Sequence, residues 1–212
     1  MPPVPLPAFD LYLVTDRTQT RGRDLLWVLE QALDGGVGAI QIREKDLAGK
    51  ELFDLAEKAR DLCARYQAAL FINDRIDVAL AVEADGVQLG KTSLPVEIAR
   101  QLLGPSRTIG ASTHSLEEVQ EAERSSADFI LFGPVHFTPS KAAFGPPQGV
   151  GALKKIVENT TLPVYAIGGI KPENIREVMS TGARGVSLIS AVLAAADPKL
   201  VSGVMQKMLR RS

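Results

Sequence analysis

The sequence has almost no net charge, and this excludes several classes of partner. Its 24 Lys and Arg residues nearly balance 25 Asp and Glu residues, which gives 212 residues a formal net charge of -1. Proteins that bind nucleic acid or anionic membranes through a broad electrostatic field normally carry a marked basic excess. We therefore expect no nucleic-acid partner and no membrane partner. An anionic ligand would have to be held by local cations and backbone N–H groups.

Cysteine and long hydrophobic runs are also scarce. The single cysteine, Cys63, excludes an intramolecular disulfide and is typical of a reducing compartment. It falls in a helix-spaced apolar row, so we interpret it as a core residue and not as a nucleophile. No uncharged run approaches the roughly 18 residues that a membrane span needs. The proline-rich N-terminus lacks the basic region of a secretory signal, so we predict an extended tail over residues 1–9 and a cytoplasmic location.

Short apolar runs alternate with amphipathic helical patterns along the whole chain. The segment from Asp24 to Asp34 has one apolar stripe and stops at Gly35-Gly36, a typical end signal of a helix. Ser115 followed by Glu118 matches a capping box at the start of another helix. The apolar runs are those expected of strands buried on both faces of a parallel sheet. The predicted strands are Leu11–Thr15, Ala39–Arg43, Leu70–Asn73, Gly86–Leu89, Thr108–Ser112, Phe129–Gly133, Val164–Gly168 and Gly185–Ser190.

Strict alternation of strands and helices predicts the fold class. Eight strands within about 200 residues, with no linker or shift in composition, indicate one α/β domain. The architecture that fits is a single-domain (β/α)8 TIM barrel over residues 10–212, which would be the catalytic domain. A doubly wound open sheet is the alternative architecture.

Polar residues gather where the predicted strands end. In a (β/α)8 barrel the active site forms at these carboxyl ends, and unpaired buried charge is costly. In the group Gln41-x-Arg43-Glu44-Lys45, a period of two sends Gln41, Arg43 and Lys45 to one side. Three donors facing one way, two of them cationic, suit a diphosphate. The alternative is that Arg43 and Lys45 are solvated charges paired with Glu44 or Asp46.

Asn73 and Asp74 end the third strand and suggest a metal. Carboxylate oxygens are preferred ligands of Mg2+, which commonly bridges to phosphates. The sequence therefore predicts that Asp74 holds Mg2+. In the alternative interpretation, Asp74 pairs with Arg75 or caps the next helix.

Two further segments suit phosphate binding. The loops after strands seven and eight are the recurrent phosphate site of barrel enzymes, and here they contain Gly168-Gly169 and Ser190. These glycines are equally compatible with a tight turn alone. A long loop after strand six contains Thr138, Ser140 and Lys141, which could close over an anionic substrate.

Taken together, these segments resemble the thiamin phosphate synthase (thiamine-phosphate pyrophosphorylase) family. The resemblance runs from about residue 11 to 195, with the motifs in the family's order. The motifs are Tyr12-x-Val14-Thr15-Asp16, Gln41-x-Arg43-Glu44-Lys45, Ile72-Asn73-Asp74-Arg75, Ala84-Asp85-Gly86-Val87, Gly110-x-Ser112-Thr113-His114, Phe132-Gly133-Pro134-Val135, Thr138-Pro139-Ser140-Lys141 and Ala166-Ile167-Gly168-Gly169-Ile170.

The resemblance implies an activity and a role for each site residue. Members join a pyrimidine diphosphate to a thiazole phosphate: pyrophosphate leaves, and the thiazole nitrogen captures a pyrimidine carbocation. The implied catalytic cations are Arg43, Lys45 and Lys141, and Asp74 would hold the cofactor Mg2+. Contacts with the pyrimidine diphosphate would come from Gln41, Arg43, Glu44, Lys45, Asn73, Ser112 and Lys141. Contacts with the thiazole phosphate would come from Thr138, Ser140, Gly169, Ile189 and Ser190.

One departure from the family pattern concerns the metal. Where the family usually has an Asp as second Mg2+ ligand, this chain has Ser93, a weaker and neutral donor. Ser93 is thus a weak metal-ligand candidate, and it could instead cap a helix that begins at Leu94-Pro95. The two histidines, His114 and His136, are interpreted as structural or surface residues more than as ligands.

Other functions remain open at this level. The nearest rival is the thiazole tautomerase branch of the same superfamily, which makes no C–N bond. However, Asn73-Asp74 is intact and Pro134 follows Gly133, unlike that branch. A non-catalytic phosphate-binding barrel and a phosphosugar isomerase are also compatible with the fold. The sequence leaves the oligomeric state open, and a homo-oligomer is compatible with it.

Overall fold

The computed structural model describes residues 8–139 and 145–210. Within them, eight parallel strands close into a barrel in chain order, so the (β/α)8 prediction is confirmed and the doubly wound alternative is wrong. Closure is made by pairing of β1 with β8, with Tyr12 beside Ser187. The strands are β1 Leu11–Val14, β2 Ala39–Ile42, β3 Ala69–Asn73, β4 Gly86–Leu89, β5 Thr108–Thr113, β6 Phe129–Phe132, β7 Val164–Ile167 and β8 Gly185–Leu188.

Helices follow the strands and cover the outside of the barrel. Their bounds are α1 Leu25–Asp34, α2 Gly49–Tyr66, α3 Ile76–Ala81, α4 Val96–Leu103, α5 Leu116–Arg124, α6 Gly149–Glu158, α7 Ile175–Met179, α8 Ser190–Leu193 and α9 Pro198–Leu209. A short 3-10 turn, Arg17–Gln19, follows β1. No helix in the described ranges is long and apolar enough to cross a membrane.

Local signals start the helices much as the sequence predicts. The Asp24 carboxylate accepts the backbone N–H of Trp27 at 2.9 Å and begins α1. Ser115 accepts the N–H of Glu118 at 3.3 Å and begins α5. The predicted capping box is only half formed, because the Glu118 carboxylate accepts from the N–H of His114 at 2.7 Å and not from that of Ser115.

Cys63 lies in the core, as predicted. It is fully buried on α2 beside Leu62 and Ala59. Burial raises the pKa of the Cys63 thiol to about 12, so the thiol stays protonated and unreactive near neutral pH.

Aromatic rings fill the lower part of the barrel. Phe9, Tyr12, Phe71, Phe129 and Tyr165 form one buried cluster, with the Phe71 and Phe129 ring centroids 5.4 Å apart. Phe9 stacks on Tyr165 at 4.7 Å, and its carbonyl accepts the Tyr165 hydroxyl at 2.9 Å. Phe9 therefore belongs to the barrel, although the predicted boundary places it in the tail; residues 1–7 lie outside the described residues. Because this end is packed solid, a ligand must enter from the carboxyl ends of the strands.

Candidate active site

Polar side chains line the carboxyl ends of β2 to β5. Arg43, Asn73, Asp74 and Ser112 are each half-buried, while Gln41 is buried among them with 1% of its surface exposed. The strands bring them together because β2, β3, β4 and β5 are successive neighbours in the barrel. The sequence-predicted residues of these strands therefore do share one rim.

Arg43 and Lys45 follow β2 without an ion pair to any of the described residues. The path of the chain there is set from β1, because Thr15 donates its N–H to the Gln41 carbonyl at 2.9 Å. Its hydroxyl accepts the Arg43 N–H at 2.9 Å. Two cations that form no ion pair in the described ranges are suited to bind an anionic ligand at the barrel mouth.

The neighbouring carboxylates of Glu44 and Asp46 bind Arg17. Both oxygens of Glu44 accept the backbone N–H of Arg17 at 3.1 Å. The Arg17 guanidinium binds both oxygens of Asp46, at 2.6 and 2.7 Å. The alternative that Glu44 and Asp46 neutralise Arg43 and Lys45 is therefore wrong. Glu44 holds this segment in place, and its predicted contact with substrate stays a prediction.

Asp16 is a further carboxylate near Arg43, and it is also engaged locally. It accepts from Thr18 N–H at 3.1 Å and from the Gln19 amide at 2.6 Å. Partial burial raises the pKa of Asp16, but the hydrogen bonds from Thr18 and Gln19 outweigh this and lower it below the ordinary value. Asp16 stays ionised and begins the 3-10 turn that carries Arg17.

Two glutamines on the inner wall orient the floor of the site. Gln41 donates its Nε2 to the Tyr12 hydroxyl at 3.0 Å. Gln88 donates its Nε2 to the Ser112 hydroxyl at 3.0 Å, while its Oε1 is buried without a hydrogen-bond partner. Gln88 was not among the predicted site residues. The signal for it is a lone amide in an apolar strand, at an inward-facing position two residues from Gly86.

Asp74 is held in an unusual backbone conformation. Its φ is +60, in the left-handed region that non-glycine residues seldom adopt. One carboxylate oxygen accepts the Asn73 amide at 2.8 Å, and the other contacts the Ser93 hydroxyl. Arg75 binds Asp77 instead, so the alternative of an Asp74–Arg75 ion pair is wrong.

Ser93 belongs to the Asp74 environment and not to a helix cap. Helix α4 begins at Val96 with no side-chain cap, while Ser93 accepts the Gly90 N–H at 2.6 Å. The predicted capping role for Ser93 is therefore wrong. Its hydroxyl reaches Asp74 across 19 positions of sequence.

The donor set around Asp74 fits a magnesium ion held in part by substrate. Within the described residues there is no group of three or more His, Cys, Asp or Glu side chains that could hold a metal. Mg2+, however, is commonly bound by one or two carboxylates together with waters and substrate phosphates. Asp74 with the neutral Ser93 beside it meets that minimal requirement.

The loops after β6 and β7 pack tightly against each other. Gly168 and Gly169 have φ of +98 and +64, and a Cβ on Gly168 would lie 2.6 Å from Pro134. His136 donates its N–H to the Gly168 carbonyl at 3.0 Å. Both glycines are thus required by local geometry, and their predicted contact with phosphate stays a prediction.

The remaining predicted residues lie on the same side of the barrel. Thr138 is in the loop after β6, half-buried, and Ile189 and Ser190 follow β8 at the start of α8. Ser140 and Lys141 lie outside the described residues. His114 is exposed and contacts Glu118, as expected of a surface residue, whereas His136 packs beside Gly169.

The fold and site define a class of protein: a (β/α)8 barrel with unpaired cations, amides and a carboxylate around its mouth, suited to phosphorylated small molecules. A family model described as thiamine monophosphate synthase matches residues 11–192. The chain belongs to this family, whose activity is the formation of thiamin phosphate, and it is an enzyme of the transferase class.

Similar proteins span nearly the whole chain. A protein of Geobacter sulfurreducens is 52% identical over 191 residues, 90% of each chain. The thiamine-phosphate synthase of Clostridium novyi is 43% identical over 185 residues, 87% of this chain and 91% of that one. The structure of a thiamine phosphate pyrophosphorylase from Pyrococcus furiosus matches with a TM-score of 0.88 and 41% identity, covering 97% of both chains.

Proposed function

We propose that this chain condenses 4-amino-2-methyl-5-(diphosphomethyl)pyrimidine with thiazole phosphate, forming thiamin phosphate and pyrophosphate. The observation that carries the proposal is the pair Arg43 and Lys45, which form no ion pair with any described residue, at the mouth of a barrel of this family. Arg43 is half-buried, and a half-buried cation without an ion pair is costly unless an anion binds there. Lys45 is exposed and adds a second positive charge beside it.

In the proposed mechanism, the diphosphate is the leaving group and the cations stabilise its departure. Arg43 and Lys45 bind the diphosphate, and Lys141 is proposed to contribute a third positive charge. Positive groups that meet charge as it develops lower the barrier to bond breaking. The C–O bond to the pyrimidine methylene breaks and leaves a carbocation; the thiazole nitrogen then supplies the electron pair for the new C–N bond. No proton need be removed from the nitrogen, so no general base is required.

The pyrimidine ring is oriented by amides and a hydroxyl. Gln41 and Asn73 extend from neighbouring strands, and Ser112 is steadied by Gln88 at 3.0 Å. Their hydrogen-bonding groups are suited to ring nitrogens and an exocyclic amine. The thiazole phosphate is proposed to bind at Thr138, Ser140, Gly169, Ile189 and Ser190.

Asp74 is proposed to hold Mg2+ with Ser93 beside it. When bound, the ion would supply positive charge to the leaving diphosphate. Asn73 donates to one Asp74 oxygen at 2.8 Å, which orients the carboxylate. Ser93 adds a neutral oxygen to the same environment.

The test is to incubate the protein with both substrates and Mg2+ and to measure thiamin phosphate and pyrophosphate in equal amounts. Isomerisation of the thiazole without coupling would favour the tautomerase function. Absence of turnover together with binding of phosphate compounds would favour a non-catalytic barrel. We further propose a cytoplasmic location, which the single free cysteine supports. A homo-oligomeric state is also compatible with the chain, and light scattering would test it.

Replacing Ser93 by aspartate is expected to lower the Mg2+ concentration for half-maximal activity about tenfold, because a second carboxylate would face the metal. Without Mg2+, the Ser93→Asp protein should melt at a lower temperature than the parent, since two carboxylates would be in contact. Adding Mg2+ should raise its melting temperature more than that of the parent.

Ser106→Asp is the matched control for this change, since Ser106 is exposed in the turn between α4 and β5, at the opposite end of the barrel. It should leave unchanged both the Mg2+ dependence of activity and the effect of Mg2+ on the melting temperature. An Mg2+ titration of Ser93→Asp identical to that of the parent would show that position 93 lies outside the metal environment.

A further inference from the structure

Four consecutive charged residues of alternating sign follow β2: Arg43, Glu44, Lys45 and Asp46. Such a segment would ordinarily neutralise itself through ion pairs between its own members or their neighbours. In the structure both carboxylates are bound instead by Arg17, from the 3-10 turn after β1. The two cations are left without an ion pair in the described ranges.

The contacts of Arg17 with these carboxylates are extensive. Its two terminal nitrogens bind the two oxygens of Asp46 at 2.6 and 2.7 Å, the two-pronged geometry that makes arginine–carboxylate pairs strong. Its Nη1 also lies 3.2 Å from Glu44, whose side chain is only 2% exposed. The hydrogen bond from Arg17 holds the pKa of Asp46 below its ordinary value, so Asp46 stays ionised.

The route of the β2 segment does not depend on the Arg17 side chain alone, because the Arg17 backbone N–H also binds Glu44. Thr15 already fixes it, through its N–H to the Gln41 carbonyl and its hydroxyl to the Arg43 N–H, each at 2.9 Å. The additional effect of Arg17 is electrostatic: it takes two negative charges that would otherwise be available to Arg43 and Lys45.

We infer that Arg17 is a positioning residue for the diphosphate site, which keeps Glu44 and Asp46 away from Arg43 and Lys45 so that these cations can bind the diphosphate. The inference rests on the proposed function. It assigns to Arg17 no contact with substrate. Its effect on the reaction passes through the charges of its two carboxylate partners.

The test measures the affinity for inorganic pyrophosphate by calorimetry at a fixed Mg2+ concentration. Arg17→Met should weaken binding about tenfold, the order expected of a carboxylate left without its counter-ion several ångströms from the anion. Asp46→Asn alone should not weaken binding. In the Arg17→Met background, Asp46→Asn should restore most of the lost affinity, because it removes the competing charge.

Arg124→Met is the matched control, since Arg124 forms an exposed ion pair with Glu121 on α5, away from the site. It should leave the affinity unchanged. If Arg17→Met does not fold, Arg17→Gln replaces it, and pyrophosphate affinity is measured for Arg17→Gln alone and together with Asp46→Asn.

Two results would overturn the inference. One is unchanged affinity in the Arg17 variant; the other is a loss that Asp46→Asn does not restore, which would mean a purely structural role. Failure of the parent protein to bind pyrophosphate is a different result, because it would count against the proposed function itself.

Discussion

Replacing Arg43 by methionine is expected to lower kcat/KM for the pyrimidine diphosphate by a factor of about 10² to 10³, the usual cost of removing a group that stabilises transition-state charge. Methionine retains much of the side-chain length and removes the charge. The decrease should appear mainly in kcat, because the negative charge on the leaving diphosphate grows as the bond breaks. Steady-state kinetics with the thiazole phosphate saturating measures both parameters.

Arg65→Met provides the control for that experiment. Arg65 forms an ion pair with Glu30 between α2 and α1, on the outer surface. Its removal should leave kcat and KM unchanged. Equal kinetics for Arg43→Met and the parent would place Arg43 outside the diphosphate site.

Replacing Phe129 by alanine is expected to lower the free energy of unfolding by about 3–5 kcal/mol, the range for removing a buried phenylalanine. The Phe129 ring is fully buried and lies 5.4 to 6.0 Å from the ring centroids of Phe71, Tyr165, Tyr12 and Phe9. The cavity would open in the packed floor of the barrel, where backbone closure limits collapse. Urea unfolding followed by far-UV circular dichroism measures the loss.

Phe137→Ala is the matched control, since Phe137 is 67% exposed in the loop after β6. Its effect on stability should stay within about 0.5 kcal/mol. A similarly small effect for Phe129→Ala would contradict the view that the aromatic cluster contributes strongly to the stability of the barrel.

The strands were predictable because their residues are buried on both faces. Runs such as Phe129–Phe132 lie against the helices on one side and the barrel interior on the other, so they are apolar throughout. Their ends differ from prediction by one or two residues, as at β8, which ends at Leu188 and not at Ser190. The shorter strand reflects the start of α8 at Ser190.

The partners of the site residues were not predictable to the same degree. Period two predicted Arg43 and Lys45 on one side of the chain, but nothing local indicated that Arg17 would bind Glu44 from 27 positions away. The contact of Ser93 with Asp74 depends on the adjacency of β3 and β4. A helix cap was the better local interpretation of Ser93, and it was wrong because α4 begins only after Pro95.

The sequence alone determines the order of strands and helices, the residues at the strand ends and the family. These depend on local periodicity and residue type. Which charges meet is a property of the closed barrel. Parallel pairing in the barrel sets β1 beside β2 and so brings Arg17 to Glu44 and Asp46. It also sets β3 beside β4 and so brings Asp74 to Ser93. Electrostatic energy depends on distance in space, and that distance exists only once the barrel is formed.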